Sequence, residues 1–452
     1  EAGLWGCAAG AVCGVVWVVR RGWGGAVSAE SIGRGRLIRM SIFDLFRRRS
    51  DRDRFALGVI RRAKERSWPH KIEYDREKFC LRSGTDGATF YLENVYGDWI
   101  KNDADGKRAD VDRVVSTMFE GSLPLDWESS SSLLLPAVRN RRALECQWLA
   151  TEGKIERAWW DGAFVPLCDS LAIVIAVDRP TSIALIDNRK FGEWNRSFEQ
   201  LMEHAVLNLR ERSPTRFERH PSGFYFSQYG DQYDCSRLLL PELFDLLSLN
   251  GDPVAIPVTR DGLVVAGSND VSALCAMARF VEDVIQESAR ATAYLPLILR
   301  DKAWSVFEAE GPALEPLRDL VAKQALWDYE CQRELLQAHC EQTGRDVWVG
   351  KIEANKFGSR VYTFSTWTQG VTTLLPRTDA VAINPGEQGS WFIRTWDDFW
   401  SVFSDDLVDE GIYPSRFQTP ARMTEKKLER LISEFGLPPW LPTPQNDAHL
   451  LR

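Results

Sequence analysis

The order of helix and strand patterns constrains the fold of this chain most, because several strand-like runs follow one another with only a turn between them. Apolar residues spaced three and four apart predict a first helix over 51–66. Three strand-like runs and a second helical pattern follow, over 71–74, 78–82, 88–95 and 110–119. This order, α-β-β-β-α, predicts a small antiparallel sheet with helices on one side.

The same alternation continues to the end of the chain. Ser197 and Gln200 form a capping-box pattern, which predicts a helix over about 197–212. Further helices are predicted over 235–248, 270–289, 314–342, 396–407 and 424–435. Strands are predicted over 171–178, 181–186, 216–219, 223–228, 254–258, 263–266, 293–299, 303–308, 347–353, 359–366, 371–375, 380–384 and 391–394. The predicted fold class is α+β, with antiparallel sheets and helices packed on them.

The length of the chain predicts more than one folding unit. It has 452 residues, whereas a single hydrophobic core stops growing at roughly 250–300 residues. Proline and serine interrupt the patterns over 123–136, and Gly311–Pro312 interrupts them again. We therefore predict an N-terminal α+β unit over 40–125, a second α+β unit over 136–310, a Trp-rich C-terminal α+β module over 311–440 and a tail over 441–452.

The first residues do not resemble a targeting segment. Leu4–Val19 is an apolar run of 16 residues, shorter than the roughly 20 residues of a spanning helix, and no basic segment precedes it as in a signal peptide. Because the first methionine is Met40, we interpret residues 1–39 as a non-native or weakly ordered leader, with a weak membrane anchor as the alternative. Residues 41–54 are apolar and then basic, and we interpret them as a lead-in to the first helix or, alternatively, as a contact with an anionic membrane surface.

The charge balance disfavours nucleic acid as a partner, and the cysteines indicate a reducing compartment. The formal net charge is -8 and the pI is about 5.4, whereas proteins that bind phosphate backbones usually carry a basic stripe. The nine cysteines include no C-x-x-C pair. We interpret them as reduced, mostly buried thiols in a reducing compartment.

The sequence contains no recognisable catalytic constellation. It lacks the P-loop, the dinucleotide-binding glycine motif, the zinc-protease motif and the nucleophile elbow. None of the five histidines lies at metal-ligand spacing with another. Residues 102–106 resemble part of a calcium loop, but Lys101 stands where an acidic ligand is needed. We therefore expect no cofactor and no metal, and we favour a protein that is not an enzyme.

Tryptophan is abundant, with 18 residues. Trp159–Trp160, Trp391, Trp396 and Trp400 suggest a recognition surface, because tryptophan is enriched at the centres of protein interfaces. The alternative is that these residues belong to the core or its edge. Trp396 and Trp400 are the candidate partner contacts of the C-terminal module.

The middle of the chain resembles a known family. The motifs that carry the resemblance occur in order and are Pro136-Ala-Val-Arg139, Val165-Pro-Leu, Glu203-His-Ala-Val-Leu-Asn208-Leu, Tyr233-Asp-Cys-Ser-Arg237-Leu-Leu, Val254-Ala-Ile-Pro257 and Arg260-Asp261-Gly-Leu263. On these motifs, residues 51–308 resemble the YtpQ-like family of uncharacterised bacterial proteins, a domain of unknown function. The resemblance implies a cytoplasmic bacterial protein with a shared fold, and it implies no activity.

Polar residues within these motifs are the candidate ligand or partner contacts, namely Arg139, Asn208, Asp234 and Arg237. The planar guanidinium of Arg237 suits a carboxylate or a phosphate. The alternative is a structural role, in which Asp234 caps the predicted helix over 235–248 and Arg237 forms an ion pair.

Taken together, the patterns predict a non-enzymatic interaction or adaptor protein with a protein partner. The alternative is a small-ligand sensor or an enzyme with a pocket near Arg139, Asp234 and Arg237. A third hypothesis is a peripheral membrane protein that uses residues 41–54. The oligomeric state stays open.

Overall fold

The computed structural model describes residues 50–83, 88–121, 125–146, 149, 162–287, 292–358 and 360–441. The chain divides into two compact units. Unit 1 contains the residues up to Leu133 together with Ala176–Leu185, and unit 2 contains Leu134–Ile175 and the residues from Ile186 onward. The predicted leader, residues 41–49, Trp159–Trp160 and all but the first residue of the predicted tail lie outside the described residues.

Unit 1 has the predicted α-β-β-β-α order with two additional helices. Its elements are α1 (Asp51–Glu65), β1 (Ile72–Asp75), β2 (Cys80–Ser83), β3 (Ala88–Tyr91), α2 (Glu93–Trp99), α3 (Ala104–Gly121) and α4 (Trp127–Ser130). The three strands form an antiparallel sheet in the order β1-β2-β3. Its core includes Phe55, Val59, Leu81, Leu92 and Met118. Helix α2 lies partly where the sequence predicted that the third strand continues to residue 95.

Polar contacts fix the first helix of unit 1. Ser50 is the N-cap of α1, and its Oγ accepts a hydrogen bond from the backbone N–H of Asp53 at 3.2 Å. The Asp53 carboxylate accepts hydrogen bonds from Tyr74 Oη at 3.2 Å and Arg76 Nε at 3.0 Å. The cap and the carboxylate together hold the helix against β1.

Unit 2 carries most of the chain. Its elements are β4 (Leu134–Asn140), α5 (Arg141–Glu145), β5 (Phe164–Cys168), α6 (Asn188–Trp194), α7 (Phe198–Glu211), β8 (Phe217–Arg219), β9 (Tyr225–Ser227), β10 (Pro253–Thr259), β11 (Gly262–Gly267), α8 (Val271–Glu287), β12 (Leu297–Arg300), β13 (Ala303–Val306), α9 (Glu315–Thr343), β14 (Trp348–Val349), β15 (Glu353–Phe357), β16 (Arg360–Thr368), β17 (Thr373–Pro376), β18 (Ala380–Asn384), β19 (Phe392–Thr395), α10 (Trp396–Phe403), β20 (Val408–Asp409), β21 (Arg416–Gln418) and α11 (Glu425–Glu434). The unit boundary passes through β6 (Leu171–Asp178), and β7 (Ile183–Leu185) belongs to unit 1.

The largest sheet of unit 2 has six strands in the order β13-β12-β10-β11-β9-β8, and every neighbouring pair is antiparallel. The predicted hairpin over 254–266 is confirmed as β10 and β11. Helices α8 and α9 contribute Leu274, Met277, Leu317 and Leu320 to the core on this sheet. Helix α7 begins with the predicted capping box, because Ser197 and Gln200 bond each other's backbone N–H groups.

Helix α9 begins just after the boundary that the sequence placed near residue 310. Its first turns pack with α8, and its later residues Leu336 and Cys340 pack with Cys146 and Leu374. The helix ends at Gly344, which has φ +67° as expected for a left-handed helix end. Residues before and after 310 therefore share hydrophobic clusters within unit 2.

The C-terminal part of unit 2 contains two four-stranded sheets, β14-β17-β21-β20 and β15-β16-β18-β19. Each includes one parallel pair, β14 with β17 and β16 with β18. Helices α10 and α11 cover a core of Trp367, Phe399, Phe403 and Leu431. The fold is α+β, as predicted, and the parallel pairs are the departure from the expected antiparallel sheets.

The predicted helix over 235–248 is wrong. This segment forms two 3₁₀ turns, Asp234–Leu239 and Pro241–Leu246. Proline disfavours the α conformation in the residue before it, and Leu240 accordingly has φ -120° and ψ 71°. The strand β4 was not predicted, because Pro136 within it was interpreted as part of a break between units.

Among the described residues, no helix combines the length and the apolar composition needed to cross a membrane. Of the cysteines in the described ranges, six are free thiols as predicted, namely Cys80, Cys146, Cys168, Cys235, Cys275 and Cys340. Cys331 is disulfide-bonded and is the exception to the prediction that the cysteines are reduced.

Candidate functional site

Arg237 lies in the 3₁₀ turn Asp234–Leu239, and its side chain is fully buried. Its Nη1 and Nη2 atoms donate to the two carboxylate oxygens of Asp231, each at 2.7 Å, and Nε donates to Ser213 Oγ at 3.0 Å. The guanidinium carbon lies 4.0 Å from the centre of the Tyr229 ring. The planar fork that would suit a ligand carboxylate is therefore occupied by a carboxylate of the protein itself.

Asp234 is also fully buried and is satisfied by nearby groups. Its carboxylate accepts hydrogen bonds from Ser227 Oγ at 2.9 Å and from the backbone N–H of Gly230 at 3.1 Å. Burial raises the pKa of Asp234, and the Ser227 hydroxyl and Arg237 oppose that rise. The expected capping of a helix over 235–248 is not found. Asp234 instead holds the turn between Ser227 and Gly230.

Asn208 and Arg139 meet strand β4 in different ways. Asn208 Nδ2 donates to the backbone oxygen of Leu134 at 2.9 Å, which ties α7 to β4. Arg139 lies on β4 with 7% of its surface exposed, and its Nη1 donates to the backbone oxygen of Val138 at 2.9 Å. Its Nη2 atom is buried and has no hydrogen-bond partner among the described residues. Burial lowers the pKa of Arg139, so this guanidinium is the least satisfied of the predicted site residues.

The structure brings two of the family-like motifs together, but it does not join their polar residues into one pocket. The backbone N–H of Val138 donates to Ser236 Oγ at 3.1 Å, and the Arg139 guanidinium lies 5.7 Å from the Tyr233 ring centre. No hydrogen bond or ion pair among the described contacts links Arg139, Asp234 and Arg237 to one another. Each of the three belongs to a separate set of bonds.

A surface cleft of about 590 Å³ lies elsewhere in unit 2. Its lining residues are Pro241, Glu242, Asp245, Asp252, Pro253, Leu299, Arg300, Asp301 and Lys302. Arg300 forms an ion pair with Asp252 at 3.1 Å, and Glu242 forms one with Arg210 at 2.9 Å. None of the residues that the sequence singled out lines this cleft, and much of its charge is neutralised by neighbours.

A buried polar cluster around Asp328 of α9 was missed by sequence reasoning. The Asp328 carboxylate accepts hydrogen bonds from Asn140 Nδ2 at 3.0 Å and Gln324 Nε2 at 2.8 Å, and Arg142 Nε lies 3.7 Å away. Burial raises the pKa of Asp328, while Arg142 lowers it. The sequence did contain a signal for this cluster. Gln324 and Asp328 follow Leu317 at helical spacing, which predicts that these two polar residues lie on the buried face of α9. The cluster joins α9 to β4 and α5.

The two predicted tryptophan contacts have different environments. Trp396 is 5% exposed and packs in the core beneath α10. Trp400, one turn later, is 38% exposed, with its ring 6.0 Å from that of Trp396 and 5.0 Å from that of Phe417, measured between centres. Trp396 is therefore a core residue, and Trp400 remains available for contact.

A third tryptophan was not singled out by the sequence. Trp348 on β14 is 55% exposed and lies beside Thr373 in the parallel β14–β17 pair. Thr373 and Leu375 point to one side of β17 because side chains alternate along a strand, and Leu375 lies opposite Phe417. Trp348 and Phe417 therefore lie on the same face of the β14-β17-β21-β20 sheet.

The described part of the chain contains no group of three His, Cys, Asp or Glu side chains placed to share a metal ion. The chain matches no protein-family model, no curated protein and no solved structure.

Proposed function

We propose that this protein is a non-enzymatic interaction protein, and that the C-terminal part of unit 2 binds a protein partner through exposed tryptophans. The observation that carries the proposal is that Trp348 and Trp400 are both exposed and lie in the same layer, formed by α10 and the β14-β17-β21-β20 sheet. Trp400 contacts Phe417, and Trp348 lies on the same sheet face as Phe417. Tryptophan is enriched among the residues that dominate binding energy. Its rigid ring also provides a large contact area at a low cost in conformational entropy.

The contacts of the buried ionisable groups of unit 2 favour a structural role for these groups. Arg237 is paired with Asp231, Arg142 lies close to Asp328, and Arg416 donates to backbone oxygens. A catalytic acid or base must come within hydrogen-bond reach of a reacting atom, whereas these side chains lie against a carboxylate or the backbone of the protein itself. On the order of the motifs from Pro136 to Leu263, we further propose that the protein is cytoplasmic and related to the YtpQ-like family.

Affinity purification with matched variants tests this function. The wild-type protein, the double variant Trp348→Ser/Trp400→Ser and the control Leu246→Ser are each used to capture proteins from the same lysate. Leu246 is a suitable control because it is 66% exposed and lies in the 3₁₀ turn Pro241–Leu246, outside this layer. We expect a stoichiometric partner that the double variant loses and the control retains. Identical captured proteins for all three would contradict the proposal.

A second candidate function, the binding of a small anion, is favoured by the state of Arg139. A buried cation without a carboxylate is costly, and the Nη2 atom of Arg139 has no hydrogen-bond partner. Phosphate, acetate and chloride salts, compared at equal ionic strength, test this candidate by thermal unfolding. If phosphate or acetate stabilises the wild type and not Arg139→Met, the anion site is supported. Equal shifts in both proteins would exclude it.

A further inference from the structure

Trp400 is held in a fixed position by other aromatic rings. Its ring stacks on that of Trp396, with 24° between the planes, and meets Phe417 at 67°. Trp396 and Phe417 are themselves buried. A ring supported in this way loses little rotamer freedom on binding, so contacts to its exposed surface are not offset by ordering the side chain.

Two aspartates lie on the elements that hold this ring. Asp397 precedes Trp400 by three residues on α10, which places both on one side of the helix. Asp409 lies directly opposite Phe417 in the β20–β21 ladder, and opposed residues project from the same face of a sheet. Both aspartates are exposed. We name Trp400, Asp397 and Asp409 the Trp400 patch.

The negative charge of the Trp400 patch is not compensated by the protein. Nearby acidic residues are paired, because Asp406 bonds Lys427 at 2.8 Å and Glu410 bonds Arg345 at 2.6 Å. Within the described ranges, neither Asp397 nor Asp409 has an ion-pair partner. The Asp409 carboxylate accepts one hydrogen bond, from the backbone N–H of Gly411 at 2.8 Å. An apolar or acidic partner that covered this patch would have to desolvate two unpaired carboxylates, which is unfavourable.

We infer that the Trp400 patch binds a basic segment of the partner protein, with an arginine or lysine side chain over the Trp400 ring. This inference rests on the proposed function and specifies the chemistry of the partner. A cation is attracted to the face of an indole, and the two aspartates complement the same charge. Nucleic acid is disfavoured as an occupant, because its phosphates would meet the carboxylates.

Peptide binding tests the inference directly. Three labelled peptides of equal length alternate alanine with arginine, with glutamine or with glutamate, and their binding to the full chain is measured by fluorescence anisotropy at low and high salt. We expect the arginine peptide to bind, to weaken at high salt, and to bind several-fold more tightly than the other two. Absence of binding by the arginine peptide, or equal binding of the glutamine peptide, would overturn the inference.

Variants then assign the binding to this patch. Trp400→Leu is expected to weaken the arginine peptide about two- to fivefold, because it removes the ring face. Asp397→Asn/Asp409→Asn is expected to weaken it similarly and to reduce its salt dependence; asparagine keeps an acceptor for the Gly411 N–H. The control Asp245→Asn/Asp301→Asn removes two exposed carboxylates from the distant cleft and is expected to change nothing. Equal effects of the two double variants would show attraction to net charge alone and would overturn the assignment.

The outcomes separate this inference from the function on which it rests. If a partner captured from the lysate is lost with Trp348→Ser/Trp400→Ser but retained by Asp397→Asn/Asp409→Asn, the interaction surface stands and the basic partner segment is refuted. If Trp348→Ser/Trp400→Ser captures the same proteins as the wild type, the proposed function fails. Because the aspartates are exposed, their variants are expected to fold like the wild type, which thermal unfolding verifies.

Discussion

Several arginine side chains of unit 2 are almost fully buried, and the protein accommodates them in different ways. Arg237 has a carboxylate partner, whereas Arg416 donates to the backbone oxygens of Gly350, Leu374 and Tyr329. Burial lowers the pKa of Arg416 to about 10, so the carbonyl groups bind a cation that remains charged at neutral pH. Arg139 has only one backbone oxygen. An arginine in a sequence motif therefore does not by itself indicate a ligand.

The Arg237–Asp231 pair predicts an unequal response to mutation. Arg237 is fully buried, whereas 37% of the Asp231 side chain is exposed. Asp231→Ala leaves the buried guanidinium of Arg237 without its carboxylate and is expected to cost about 3–5 kcal/mol of unfolding free energy. Arg237→Met leaves a carboxylate that water can reach, so a smaller cost of about 1–3 kcal/mol is expected. Urea unfolding measures both costs, and a larger cost for Arg237→Met would contradict the assigned environment.

Asp328 predicts a pH dependence of stability. Burial raises its pKa in the folded protein above the ordinary value, so the folded state keeps a proton that the unfolded state has already lost. Its contribution to stability is therefore greatest below the ordinary carboxyl pKa and falls as the pH rises to the raised pKa. Asp328→Asn cannot titrate, so its unfolding free energy relative to wild type is expected to increase over that window.

Chemical unfolding at a series of pH values measures this difference. Loss of a hydrogen bond from Gln324 or Asn140 in the Asp328→Asn variant would add a cost that is constant with pH, and it would leave the slope unchanged. Parallel curves for the two proteins would show that the Asp328 pKa is not raised. The slope, and not the absolute stability, is therefore the measurement that decides.

At the scale of single elements, two glycines predict opposite responses to alanine. Gly344 ends α9 with φ +67°, and Gly192 lies within α6; a Cβ atom at either position would meet no other atom within 4 Å. Gly344→Ala is expected to destabilise by about 1 kcal/mol, because alanine is strained in the left-handed region. Gly192→Ala is expected to stabilise by up to about 1 kcal/mol through helix propensity. Thermal unfolding compares them, and shifts of the same sign would contradict the backbone assignment.

The elements that sequence patterns predicted well are those with local signals. Ser197 and Gln200 predict the start of α7, and Gly344 predicts the end of α9, because helix caps depend on residues that are close together in the chain. The signal failed where one residue allowed two interpretations. Pro136 was taken as a break, yet β4 lies at the edge of its sheet, where a proline is tolerated.

The same distinction explains the candidate site. A sequence pattern could nominate Arg237 and Trp396, but tertiary structure brings Ser213 to the first and Phe417 to the second. The sequence did not indicate that Trp348 is exposed. Its place on the sheet face follows from the parallel pairing of β14 with β17, in which Trp348 lies beside Thr373, 25 residues later in the chain. Such non-local strand pairings determine which aromatic residues are buried and which are exposed.

At the scale of the whole molecule, the central question is whether the residues after 310 form an addition or part of the core. The predicted boundary at Gly311–Pro312 coincides with a real turn. Immediately after it, however, Leu314, Leu317 and Leu320 join the cluster that contains Val254 of the six-stranded sheet. Composition reveals a turn between elements, but it does not reveal whether the next helix packs back on the previous ones.

This arrangement predicts that unit 2 cannot be divided at residue 310. A fragment covering 1–310 lacks α9, so it leaves the apolar side of α8 uncovered and removes the Asp328 carboxylate that accepts from Asn140 Nδ2. We expect this fragment alone to bind a hydrophobic dye and to keep only the thermal transition of unit 1, because its part of unit 2 exposes a core surface. Co-expression with the fragment 311–452 is expected to restore a complex with the near-ultraviolet circular dichroism of the intact chain. If the fragment 1–310 alone binds no dye and shows a second cooperative transition besides that of unit 1, α9 is dispensable to this core and the C-terminal residues are an independent addition.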